Sequence, residues 1–201
     1  MVWDTLNVIG VIAFAASGAL TALEEKYDLF GVWVLGFVTA FGGGVIRNLL
    51  IGVPIRSLWE QHALLYIAFG VSTLLFILPA SWLLKGKGAW VLFDAIGLSA
   101  FSIQGGLTAA EKGLPLIAVA TAAILTGIGG GVIRDVLAGR KPLVFRKEIY
   151  AAWALLAGVL IQQGVLAHQW QLYLLFLLIV TLRMVSLRFR WHLPQRPFLK
   201  A

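Results

Sequence analysis

Gly42-Gly43-Gly44-Val45-Ile46-Arg47 and Gly129-Gly130-Gly131-Val132-Ile133-Arg134 are the same six residues met twice, 87 positions apart, each inside a long apolar run. Working outward from them, Asn7–Gly52 lies on Asp94–Gly139 without a gap, and 20 of the 46 positions are identical. Gly10/Gly97, Ala13/Ala100, Phe14/Phe101, Gly18/Gly105, Thr21/Thr108 and Glu24/Glu111 all coincide. Six consecutive identities in register with so many others do not arise by chance. The chain carries an internal repeat.

Composition sets the solvent in which that repeat folds. Of 201 residues, 60% are hydrophobic and 12% charged, with mean hydropathy +0.92. A soluble domain carries roughly a quarter charged residues. A bilayer core takes roughly 20 apolar residues per helix. On that ruler the chain divides into seven spans, near 4–23, 29–51, 60–84, 89–111, 114–138, 148–167 and 170–187. The 87-residue shift carries three of them, an odd number, so the second unit enters the membrane from the opposite side. The expected fold is therefore an all-α integral membrane protein, an inverted repeat of two three-helix units plus a seventh helix. Repeat one covers about 4–84, repeat two about 89–167, the extra helix about 170–187 and a basic tail 188–201. Inverted repeats of this kind build transport proteins, with the pathway at the repeat interface.

The formal net charge of +7 is a topological signal rather than a nucleic-acid footprint, because the basic residues sit between spans and in the tail. One set of connections, with the tail, holds Lys26, Lys85, Lys87, Arg140, Lys141, Arg146, Lys147, Arg188, Arg190, Arg196 and Lys200, whereas the other holds only Arg56 and Lys112. This predicts a multi-pass protein of the cell's inner (plasma) membrane, with its N-terminus outside and its C-terminus cytoplasmic. Met1-Val2-Trp3-Asp4 lacks the basic stretch of a secretory signal, and the first span recurs as the fourth, so it is read as retained. No cysteine is present, and His62, His168 and His192 form no ligand-spaced group. No metal or cofactor is expected, and no catalytic constellation points to an enzyme.

Each glycine costs a helix interior about 1 kcal/mol relative to alanine. Close packing between membrane helices explains part of this. Close-packing glycines, however, are usually spaced three or four apart on one face, and three in a row spread around the helix. The favoured reading is a kink or short unwound stretch at Gly42, Gly43 and Gly44 and at Gly129, Gly130 and Gly131, whose freed carbonyls would serve as cation ligands. Arg47 and Arg134 follow the runs. They either snorkel to the headgroups or face a cavity that marks a pathway. Where the first repeat has Asn7 and Asn48, the second has Asp94 and Asp135. The repeat alignment makes Asp94 and Asp135 neighbours, with Arg134 able to pair with either, and predicts a more acidic cytoplasmic mouth.

With its paired Gly-Gly-Gly-x-x-Arg-Asp/Asn motif at Gly42–Asn48 and Gly129–Asp135, the chain resembles the prokaryotic branch of the trimeric intracellular cation channels. The resemblance implies glycine-rich kinked second and fifth helices. It also implies a homotrimer among membrane lipids with a pore in each subunit, selective for monovalent cations, mainly potassium, with sodium. The six glycines would then mark the ion pathway, and Arg47, Asn48, Arg134, Asp135, Asn7 and Asp94 its polar and gating positions. Some bacterial relatives carry a glycine-transporter label, so a secondary transporter of a small amino acid is the alternative.

Overall fold

The computed structural model describes residues 2–79, 89–145, 149–166 and 168–191. Eight α-helices fill them: α1 (Val2–Glu24), α2 (Leu29–Ile51), α3 (Arg56–Trp59), α4 (His62–Ile77), α5 (Ala89–Glu111), α6 (Leu116–Leu137), α7 (Ala151–Gln162) and α8 (Gln169–Arg188). A 3-10 turn, Leu143–Phe145, precedes α7. Five of the helices are long and apolar enough to cross a membrane, and α4 and α7 are shorter apolar helices. At 1.5 Å per residue, the 23 residues of α1, α2 or α5 span about 35 Å. That exceeds a hydrocarbon core of about 30 Å.

The helices of the third and sixth spans, α4 and α7, are shorter than the apolar runs that announced them. Helix α4 stops at Ile77 because Leu78 precedes a proline and is extended (φ −63°, ψ 141°). Residues 80–88, with Lys85 and Lys87, lie outside the described residues, as do Arg146, Lys147, Arg196 and Lys200. Helix α7 ends before Gly164, whose φ of +66° is left-handed and unfavourable to a side chain. The punctuation around Pro54-Ile55-Arg56 contains the one-turn helix α3, too short to leave a periodic signature.

Four long helices make the centre. Helix α1 packs on α2 and α5, and α6 packs on α2 and α5. Helix α4 covers α1 and α2, while α7 covers α5 and α6. Helix α8 rests on α5 and α7. Of the five long helices, α1 and α5 are the most enclosed and α8 the least. Many contacts recur under the 87-residue shift. A side chain at Gly10 would strike Phe101 and one at Gly97 would strike Phe14; those two rings meet edge to face at 5.2 Å. Ala22, Val32 and Leu35 pack with Ala138, and Ala109, Val119 and Ala122 pack with Ile51.

The expected unwound stretches are absent: α2 and α6 are continuous helices through both glycine runs. The glycines let two backbones touch instead. A methyl group at Gly43 would fall on the Thr126 carbonyl oxygen, one at Gly130 on the Thr39 carbonyl oxygen, and one at Gly129 on the Gly43 Cα. Keeping the helical hydrogen bonds is also what lipid demands, since a freed backbone group there has no water to turn to.

Chain connections bring ends together. Arg140, after α6, donates to Glu24 (2.9 Å) and Glu25 (2.6 Å) after α1, and the Tyr27 hydroxyl donates to the Leu137 carbonyl (2.9 Å). The Ile149 N–H donates to the Trp191 carbonyl beyond α8 (3.4 Å). One face of the bundle thus holds the α1–α2 connection, the α6–α7 connection and the end of α8.

Candidate functional site: two arginine centres at the ends of α2 and α6

Arg134 lies near the end of α6, on the helix face turned into the bundle, and is fully buried. A lone guanidinium there would cost several kcal/mol, so it requires counter-charge. Its Nη1 bonds Asp94 Oδ1 on α5 at 2.7 Å and the Ser17 hydroxyl on α1 at 2.5 Å. Its Nε donates to Asp135 Oδ1 at 2.9 Å. The Trp90 ring covers it, 5.4 Å from ring centre to guanidinium carbon.

Both carboxylates are saturated from the other side. Asp94 Oδ2 accepts from the Tyr150 hydroxyl at 2.8 Å, and Asp135 Oδ2 accepts from the Leu143 N–H at 3.0 Å. Arg183 of α8, also fully buried, stacks on the Tyr150 ring at 4.5 Å. Arg134 is thus ion-paired to two aspartates, and Arg183 joins them through Tyr150, on whose ring it stacks. The three sequence-derived residues Asp94, Arg134 and Asp135 do meet. The two acids behind the expected acidic cytoplasmic mouth are not exposed at a mouth: Asp94 is wholly buried and Asp135 only 4% exposed.

Tyr150→Phe tests how far the cluster depends on that outer donor. The ring remains, so the Arg183 stack persists, while Asp94 loses a charge-assisted hydrogen bond worth about 1.5–3 kcal/mol. Thermal unfolding of purified protein should show the loss. A melting curve matching wild type would mean that Asp94 finds another donor.

Arg47, the counterpart of Arg134, has a different environment. It is 8% exposed, and its Nε and Nη2 donate to Asn48 Oδ1 at 3.0 and 2.7 Å. Asn48 Nδ2 reaches the Ser57 hydroxyl of α3 at 3.4 Å. Asn7 Nδ2 donates to Gln61 Oε1 at 3.1 Å, and Gln61 Nε2 donates to the Ser57 carbonyl at 3.1 Å. Arg47, Asn48, Asn7 and Gln61 line a cavity of about 40 Å³ with Gln104, Thr126, Phe101 and Gly44. Asp4, one turn before Asn7 in the sequence, is exposed and does not line it.

The third glycine of each run serves these centres. At Gly131 an added carbon would sit 3.2 Å from the Tyr150 hydroxyl and 3.4 Å from Asp94 Oδ1; at Gly44 it would meet only Arg47, at 3.9 Å. Sequence reasoning missed Ser17, Tyr150, Arg183, Gln61 and Gln104. An intramembrane charge was itself the signal for Arg183. The same shift that pairs the motifs also pairs Trp3 with Trp90 and Ser17 with Gln104.

This geometry has known relatives. A family model described as glycine transporter matches residues 4–80 and 91–163. The UPF0126 membrane protein YvgT of Bacillus subtilis is 56% identical over 199 residues, covering 98% of both chains. The UPF0126 inner membrane protein YadS of Escherichia coli is 37% identical over 192 residues, covering 94% of this chain and 92% of that protein. A solved structure described as giving the structural basis for conductance through TRIC cation channels superposes with TM-score 0.87 at 35% identity, over the full length of both chains. A TRIC orthologue from Rhodobacter sphaeroides reaches 0.84 at 29% identity, covering 94% of this chain and 98% of that one. The family and the fold are channel- or transporter-type, not those of enzymes. The chain is a multi-pass helical membrane protein of the prokaryotic trimeric intracellular cation channel family, whose family model bears the glycine-transporter description.

Proposed function

We propose that this protein is a monovalent cation channel for potassium and sodium, with one pore inside each subunit of a homotrimer. The observation that carries this reading is the pair of polar centres at opposite ends of the α2–α6 contact, one closed around Arg134 and the other lining a cavity around Arg47. Because the helices are continuous, the oxygens available to a cation are those of amide and hydroxyl side chains, such as Asn7, Gln61, Gln104 and Thr126. Backbones touch at Gly43 and Gly130, beside Phe14 and Phe101, so ion passage between the centres requires α2 and α6 to part there.

The proposal includes the seven-span inverted repeat, with its two units and separate seventh helix. Two observations support it: contacts recur under the 87-residue shift, and Arg140 meets Glu24 and Glu25. It also includes an external N-terminus, because the face carrying Lys26, Arg140, Lys141, Arg188 and Arg190 is the basic one.

A second reading, secondary transport of glycine, draws on the family description and on a guanidinium that could meet a carboxylate. Purified protein in planar bilayers separates them. The expected result is resolvable unitary currents that reverse near the potassium equilibrium potential under a potassium gradient and do not need glycine. Saturable glycine uptake into liposomes without unitary currents would replace the channel by the carrier.

A further inference from the structure

The two arginine centres differ in what balances them, and the difference is chemical. At Arg134 the chain supplies two carboxylates. At Arg47 the corresponding positions are the amides Asn7 and Asn48, yet the arginine is retained and is more than nine-tenths buried. Its Nη1 has no hydrogen-bond partner among the described residues. No acidic residue lines the adjoining cavity; Asp4, Glu60 and Glu111, the acids at that end, are exposed. A buried, unbalanced guanidinium is costly, and an arginine presents five fixed N–H donors that suit an anion. The cavity's 40 Å³ exceeds the roughly 10–15 Å³ that one water needs.

We infer that the cavity at Arg47 binds a small monovalent anion, a halide or the carboxylate of a small solute, in the place that Asp94 and Asp135 fill with side chains in the other repeat. Arg47 Nη1 is the charged donor, and the amide groups of Asn7, Gln61 and Gln104 lie around the same space. The anion brings this centre toward the charge balance that the chain builds internally at Arg134. The inference does not rest on the channel reading, since binding at Arg47 is measurable whether or not ions cross the protein.

Thermal unfolding of the purified protein in detergent, with chloride replaced stepwise by gluconate at constant ionic strength, tests it together with radiolabelled chloride binding. A ligand that binds only the folded state raises stability with the logarithm of its concentration once the dissociation constant is exceeded. Wild type should therefore melt higher in chloride and retain about one chloride per chain. Arg47→Gln should lose both effects. Asn48→Asp keeps the arginine and supplies a tethered carboxylate in its hydrogen-bonding position; it should melt at least as high as wild type and no longer respond to chloride. This second variant keeps the test decisive if Arg47→Gln does not fold. A glycine arm at fixed chloride identifies the source of the negative charge. Displacement of labelled chloride by glycine, absent in Asn48→Asp, assigns the site to a carboxylate solute; no displacement assigns it to the halide. If wild type neither binds chloride nor responds to it or to glycine, or if Asn48→Asp responds as wild type does, the site does not exist.

Discussion

Asp94→Asn should be the most damaging of the polar substitutions at the two centres, costing about 3–5 kcal/mol, the usual result of removing one partner from a buried ion pair. Asp94 is wholly buried and joins four elements, because it pairs with Arg134 of α6 and accepts from Tyr150, on which Arg183 of α8 stacks. Asparagine keeps the volume and one acceptor, so the loss isolates charge from packing. Asp135→Asn should cost less, since Asp94 still balances Arg134 and the Leu143 N–H can still donate to the amide oxygen. The reciprocal change, Asn7→Asp, introduces a carboxylate at the position matching Asp94, close to a guanidinium that has none. It should be neutral or stabilising despite adding a charge to a membrane helix. Folded yield and thermal unfolding in detergent rank the four proteins. If Asp94→Asn and Asn7→Asp shift stability in the same direction by similar amounts, charge balance is not what distinguishes the two centres.

What the sequence made legible follows from how each feature is encoded. The spans appeared as apolar runs because lipid imposes a minimum length, and α2, α5 and α8 lie within a residue of their expected limits. Helix α4 ends at Ile77, before Leu78-Pro79, a stop that hydropathy alone does not register. The glycine runs were recognisable as special, but the short unwound stretch read from them is not what α2 and α6 show. Three glycines in succession do spread around a helix, and in α2 each faces a different neighbour: Ile133 for Gly42, the Thr126 carbonyl for Gly43 and the Arg47 cavity for Gly44. Sequence spacing alone cannot separate a helix that breaks from one enclosed on three sides. The partners of Asp94 were hidden for another reason. Tyr150 and Arg183 have no counterpart under the repeat, so the comparison that exposed Asp94, Arg134 and Asp135 passed over them. Arg183 arrives on the unpaired helix α8, which through Tyr150 anchors one centre and not the other.

Gly130→Ala should destabilise the fold by about 2 kcal/mol or more, and Gly43→Ala by a similar amount, although alanine is the better helix former. The propensity gain is about 1 kcal/mol. Against it, the new methyl group at Gly130 would overlap the Thr39 carbonyl, and at Gly43 the Thr126 carbonyl. Overpacking typically costs about 1–3 kcal/mol when side chains can turn aside. Here the obstacle is backbone, so α2 and α6 must separate along their whole contact, and the upper part of that range applies. Leucine at either position should give no folded protein. Gly70 supplies the control, because nothing lies within 4 Å of the carbon it would gain and it sits on an exposed face of α4. Gly70→Ala should therefore melt at or above wild type. Gly44→Ala belongs with the control for stability, since its added carbon meets only Arg47 at 3.9 Å, but it intrudes on the cavity and should weaken anion binding there. Thermal unfolding of the four alanine variants under one set of conditions separates the packing role from a flexible break. A glycine kept for flexibility would tolerate the added methyl group, and its loss would appear in ion flux while stability held. Packing predicts the opposite order, with Gly43→Ala and Gly130→Ala melting well below Gly44→Ala and Gly70→Ala.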